Sequence, residues 1–113
     1  MECLFCRIIN KEIPSKIVFE NEHILAFRDI DPKAPVHILI ITKKHLSGLN
    51  DITVKDNDLL GSLQNAAKDI ARQEGVDKSG YRLVINCGKD AGQAVEHIHY
   101  HLLGGRKLLW PPG

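Results

Sequence analysis

His97-Ile98-His99-Tyr100-His101-Leu102-Leu103 alternates histidine with apolar side chains up to its last position. Successive side chains of a β-strand point to opposite faces. The stretch therefore puts three imidazoles on one face and Ile98, Tyr100 and Leu102 on the other. Cα atoms two apart on a strand lie roughly 6.5–7 Å from each other, so three such rings can surround one small group without being interchangeable. A solvated polar sheet face would also carry histidines. Here, however, a glycine-bearing loop, Cys87–Glu96, feeds directly into the row, and the opposite face is uniformly apolar.

Working outward, Tyr81–Asn86 reads as the strand before that loop. Ahead of it, Leu59, Leu60, Leu63, Ala67, Ile70 and Ala71 recur at helical spacing, with Lys55, Asp58, Gln64, Lys68 and Arg72 on the remaining faces. Thr53-x-x-Asp56 forms a capping-box pattern at the start of this helix, and Gly75 is its stop. Lys16–Glu20 and Ile24–Asp29 read as a hairpin about Asn21-Glu22, and Asp31–Pro35 as a two-proline turn. Val36–Thr42 follows as a third strand whose continuous apolar character predicts cover on both faces. Residues 4–9 make a short helical turn ending near Lys11–Pro14. The connections are too short for parallel crossovers. The expectation is an α+β fold, a mainly antiparallel sheet of about five strands with one long and one short helix.

The 113 residues suffice for one domain spanning 1–113 and for a core that needs no disulfides. Fifteen Lys/Arg against fourteen Asp/Glu leave a charge of +1, with no basic stripe and no field to steer the chain onto nucleic acid or an acidic membrane. The longest aliphatic run, Ile38–Ile41, is far short of the roughly 20 residues of a membrane helix. The opening MECLFCRIINKE has no secretory pattern, and three cysteines, an odd count, suit a reducing compartment. The expected location is cytoplasmic.

Imidazole is a nucleophile that is largely neutral near pH 7, and neighbouring histidines can donate to a phosphoryl oxygen or carry a proton to a leaving group. Backbone N–H groups of Gly88–Ala94 could form an anion nest beside the row, although an ordinary hairpin loop explains those glycines equally well.

The row resembles the His-φ-His-φ-His-φ-φ signature (φ apolar) of the histidine triad family. Other blocks, in order along the chain, resemble its nucleotide-binding protein branch: FCRIINKEIPSKIVFE, AFRDIDPKAPVHILI, KKHL, YRLVIN, GQAVEHIHYHLLGGR and the closing WPPG. The resemblance implies a homodimer that binds purine nucleoside monophosphates and hydrolyses the P–N bond of purine nucleoside phosphoramidates. His99 would attack the α-phosphorus to give a covalent nucleotidyl-histidine, His101 would contact phosphate and move protons, and His37 would support the triad. Asp29 would take the ribose hydroxyls, Asn86, Gly92, Gln93 and Ala94 the phosphate side, and Leu4, Phe5, Ile8, Phe27 and Ile30 the base. Without the resemblance, Phe5, Ile8, Phe27 and Ile30 read as plain core, Asp29 as a turn residue, His37 as a core histidine and His23 as surface. One departure is Ala94, where these hydrolases often carry a serine whose hydroxyl reaches the leaving amine. The backbone N–H is retained, while leaving-group protonation loses a donor.

Cys3-Leu4-Phe5-Cys6 is a C-x-x-C, a pattern that fits both redox and metal chemistry. No strand precedes it as in a thioredoxin-like arrangement, and two thiolates with two imidazoles make a closed, structural zinc site. Histidine triad relatives with this motif imply Cys3, Cys6, His45 and His97 as zinc ligands, with Cys87 outside the set. Two rival readings remain at this level: a catalytic zinc on the three strand histidines, and a non-catalytic purine nucleotide-binding regulatory module.

Overall fold

The computed structural model describes residues 3–113. Its elements are α1 (Leu4–Ile9), β1 (Ile17–Glu20), β2 (Ile24–Arg28), β3 (Val36–Thr42), α2 (Asn57–Gln73), β4 (Tyr81–Ile85) and β5 (His99–Gly104). The five strands form one sheet in the order β1-β2-β3-β5-β4, every pair antiparallel. This is the α+β architecture read from the sequence, with one long and one short helix.

The β1–β2 turn closes because Asn21 Oδ1 accepts the N–H groups of both His23 and Ile24, at 2.9 and 2.8 Å. The capping box at Thr53 is present, with Asp56 Oδ2 accepting the Thr53 N–H at 2.9 Å. It closes a 3-10 turn, Val54–Asp56, that runs on into α2. Gly75 takes φ +76° as the helix ends, a left-handed conformation that a side chain would strain.

The two faces of the sheet carry different cores. Ile24, Ala26, Ile38, Ile40 and Leu102 pack under α2 against Leu63, Ala67 and Ile70. On the other face Leu25, Phe27, Leu39 and Ile41 pack against Phe5 and Ile8 of α1. The unbroken apolar run of β3 is thus explained by cover on both sides. Leu63 is fully buried, and truncating such a leucine to alanine costs about 2–5 kcal/mol. Among the described residues no helix is long and apolar enough to cross a membrane.

One strand boundary differs from the expectation of His97–Leu103. β5 starts at His99 and runs to Gly104, leaving His97 in the preceding bend. The ladder stops there because its next partners are engaged elsewhere. The Ile98 N–H donates to the Leu46 carbonyl at 2.6 Å, and the Thr42 carbonyl accepts from the His97 ring at 2.7 Å. α1 is also too short to cover the whole sheet. Beyond its end, His37, Val84, Asn86 and His101 line an open cavity of about 730 Å³.

Candidate active site and metal centre

β3 and β5 pair with His37 opposite Leu103, Leu39 opposite His101 and Ile41 opposite His99, which sets His37, His99 and His101 on the α1 side. The His99 and His101 ring centroids are 5.1 Å apart, and Phe5 meets His99 edge-on at 5.0 Å. His99 Nδ1 lies 2.7 Å from the His97 carbonyl oxygen. A carbonyl only accepts, so Nδ1 carries the hydrogen and Nε2 keeps its lone pair. His99 is thereby held in the tautomer a nucleophile needs.

A second chain of hydrogen bonds sets the neighbours. The backbone N–H of Lys33 donates to His37 Nδ1 at 3.0 Å, which leaves the hydrogen of His37 on Nε2. That Nε2–H donates to His101 Nδ1 at 2.9 Å, with Asp29 Oδ2 a more distant neighbour at 3.4 Å. His101 then bears its hydrogen on Nε2 and can present it to a ligand. Burial, reinforced by the His99 and His37 imidazoles and opposed by Asp29, pulls His101 down to about 4. Burial likewise lowers His37, against the attraction of Asp29. Both rings are neutral at pH 7.

His97 faces elsewhere. Its Nε2–H donates to the Thr42 carbonyl, which leaves Nδ1 as a free donor atom, 3.4 Å from Cys3 Sγ, 3.6 Å from Cys6 Sγ and 3.0 Å from His45 Nδ1. Cys6 Sγ is 3.4 Å from His45 Nδ1. A tetrahedral zinc requires about 3.3 Å between two nitrogens and about 3.6 Å between nitrogen and sulfur, so the four side chains fit such an ion. Burial, with Cys3 as hydrogen-bonding and like-charged neighbour, pushes the Cys6 thiol up to about 11, and a dication would supply the missing charge. The outer nitrogen of His45, Nε2, is buried and has no hydrogen-bond partner among the described residues. With His97 turned into this cluster, the three strand histidines do not converge on one ion, which removes the catalytic-zinc alternative.

The geometry and the sequence lead to the same relatives. A family model for the HIT domain matches residues 10–108. The chain belongs to the HIT domain family. It is 54% identical over 112 residues to the 14 kDa zinc-binding protein of Zea mays, covering 97% of this chain and 87% of that one. It is 52% identical over 112 residues to adenylylsulfatase HINT1 of Arabidopsis thaliana, covering 97% and 76%. The crystal structure of a HIT family hydrolase from Legionella pneumophila superposes with a TM-score of 0.98 at 54% identity, covering 99% of this chain and all of that one.

Within this HIT domain the residues expected at the site fall into three groups. His37, His99 and His101 stand together, and Asp29, Asn86 and His101 border the 730 Å³ cavity. Asp29 also serves the turn, since its Oδ1 accepts the Asp31 N–H at 2.8 Å. Phe5, Ile8 and Phe27 are buried in the α1-side core, whereas Leu4 is half-exposed and Ile30 fully exposed beside a separate groove shared with Asp29 and His37. In the β4–β5 loop the Gly92 N–H is turned back to Lys89 O and the Gln93 N–H to Gly88 O, while the Ala94 N–H meets no acceptor among the described residues. The sequence reading missed Lys33 and Thr42. Both act through the main chain, so their side-chain identities carry no signal.

Proposed function

We propose that the protein is a nucleotide-binding hydrolase that cleaves the P–N bond of purine nucleoside phosphoramidates through a nucleotidyl-histidine on His99. The observation that carries this reading is His99 itself, with Nδ1–H anchored on a carbonyl and Nε2 left unprotonated beside His101. In the first step Nε2 attacks the α-phosphorus, the N–P bond forms, and the P–N bond to the amine breaks with its electron pair leaving on nitrogen. The amine takes its proton from water, while the neutral His101 offers its Nε2–H as a hydrogen bond to a phosphoryl oxygen. In the second step water attacks the phosphorus and gives up a proton to solvent, the bond from phosphorus to His99 breaks with its electron pair returning to Nε2, and the mononucleotide departs.

Asp29 suits the ribose hydroxyls, and Asn86, Gly92 and Ala94 suit the phosphate side, with Gln93 in the same loop bound to the main chain. Leu4, Phe5, Ile8, Phe27 and Ile30 are the proposed base contacts. In this reading Cys3, Cys6, His45 and His97 hold a structural zinc; the four-atom fit and the name of the maize relative support it. The ion would tie α1 to the segment that leads into β5. With four protein ligands such an ion would have no position for water, and catalysis would stay with His99. A single-domain, cytoplasmic homodimer belongs to the same reading. Ala94, which has no hydroxyl, favours one alternative, a module that binds the nucleotide without turnover.

Incubation with an adenosine phosphoramidate separates these readings. AMP release by the wild type, its loss in His99→Ala and an early chain heavier by one adenylyl group are the expected results. AMP binding with no release by the wild type would overturn the hydrolase in favour of the binding module.

A further inference from the structure

Gln93 sits in the loop between β4 and β5, half-buried, and three of the four hydrogen-bonding positions of its carboxamide are satisfied by main-chain groups of the fold. Its Oε1 accepts the Gly88 N–H at 2.9 Å. Its Nε2 donates to the Ser47 carbonyl at 2.8 Å and to the Val95 carbonyl at 3.1 Å. These bonds hold the start of the loop, its exit and a distant segment just past His45 at a single side chain. The neighbouring chain leaves room for it: a Cβ on Gly48 would stand 3.3 Å from Oε1 and 3.4 Å from Nε2. Both N–H donors of the carboxamide and one lone pair of Oε1 are thereby engaged within the chain.

The same loop borders the triad cavity, since Asp90 and Ala91 line it together with His37 and His101. Its main chain is held in place by Gly88 and Gly92, at φ +88° and +86°. Ala94, whose N–H has no acceptor among the described residues, lies between the two residues that the carboxamide ties down, Gln93 and Val95. Val95 in turn packs against the cluster that contains Phe5, the ring that touches His99.

We propose that Gln93 is a positioning residue: its carboxamide clamps the cavity-bordering loop onto the His45 arm and sets the loop's affinity for phosphate without touching the nucleotide. The proposal rests on the reading of the triad cavity as a phosphoryl site. It assigns recognition to backbone N–H groups, Ala94 above all, and to the Gln93 side chain only their placement. An exposed N–H binds an anion tightly only when the chain behind it is already ordered. Removing the clamp therefore weakens phosphate binding and leaves the nucleoside contacts intact.

The test compares AMP with adenosine by titration calorimetry on the zinc-loaded chain, for the wild type, Gln93→Met, Gln93→Glu and Gly48→Ala. Gln93→Met keeps the length and loses the bonds, and should weaken AMP by about tenfold with adenosine affinity unchanged. Gln93→Glu turns a carboxylate oxygen on the Ser47 and Val95 carbonyls and should weaken AMP further. Gly48→Ala presses on the carboxamide from the other side and should give a smaller loss of the same kind. Amide exchange at Gly88 should quicken in Gln93→Met, a readout independent of any ligand. Equal losses for AMP and adenosine would make Gln93 a general stability residue and overturn the proposal. Wild-type AMP affinity in Gln93→Met would overturn it as well. If the wild type binds no AMP, the phosphoryl-site reading falls, and this proposal with it.

Discussion

Two histidine pairs stand at almost the same separation in this molecule and are prepared for opposite chemistry. His45 Nδ1 and His97 Nδ1 are 3.0 Å apart, and His37 Nε2 and His101 Nδ1 are 2.9 Å apart. Each pair also has further ligand-type atoms within 4.8 Å, two thiols in the first case and the Asp29 carboxylate in the second. The far nitrogen decides the difference. His97 gives its hydrogen to the Thr42 carbonyl, which frees the facing nitrogen for an ion. His37 receives a hydrogen bond from the Lys33 N–H on its far side, which keeps a hydrogen on the facing nitrogen and makes it a donor to His101. A list of nearby ligand atoms does not separate a metal centre from a proton relay. The tautomers imposed by main-chain partners do.

The largest effect expected is on metal content. Zinc titration of the wild type should give one equivalent, and Cys6→Ser should abolish it, measured by elemental analysis. The loss should lower stability by about 4 kcal/mol when free zinc stands a thousandfold above its dissociation constant. A second equivalent retained in Cys6→Ser would place an ion on the Asp29–His37–His101 cluster and break the comparison. The next effect sharpens the relay side. His37→Gln should keep its zinc and slow phosphoramidate turnover by about a hundredfold, because His101 loses the donor that fixes its tautomer. Loss of zinc in that variant would show that the two pairs are not independent.

A smaller effect is read by acid. Folded His101 is held at about 4 against an ordinary 6.5. Between those values the unfolded chain binds a proton that the folded one does not, so stability rises with pH across the window and falls on acidification. His37, also lowered by burial, acts in the same direction. Urea unfolding at pH 7 and pH 5 should show this loss in the wild type and a shallower one in His101→Gln. An equal slope in both would sink the assignment to His101. The smallest effect is the control. His23 is exposed, with 65% of its side-chain surface accessible, and His23→Gln should leave zinc content, melting temperature and turnover as they are.

Much of this site is legible in the one-dimensional pattern, for a local reason. Alternation along a strand is a short-range property, so the common face of His99 and His101 follows from the spacing 99, 101 once the segment is a strand. The failure at His97 is equally instructive. Alternation also gave it that face, but it sits outside β5 because two hydrogen bonds, from Ile98 to Leu46 and from its own ring to Thr42, end the ladder. Both partners lie more than fifty residues away in sequence, and both act through carbonyls that every residue possesses. Ile30 shows the same limit, since an apolar residue after a strand reads as core and is here fully exposed at the turn.

The sequence by itself determined the strand and helix periods, the double cover of β3, the Thr53 capping box, the C-x-x-C and the pool of histidines from which both centres are drawn. Those features depend on side chains close together in the chain, whose identities set their own local geometry. Only the tertiary structure decided that His97 turns away from the His99–His101 face toward Cys3, Cys6 and His45, and where each ring keeps its hydrogen. It also showed that the Gln93 carboxamide is turned into the loop, onto Gly88, Ser47 and Val95. These outcomes depend on backbone N–H and C=O groups brought in from distant segments, and such groups are the same at every position along the chain.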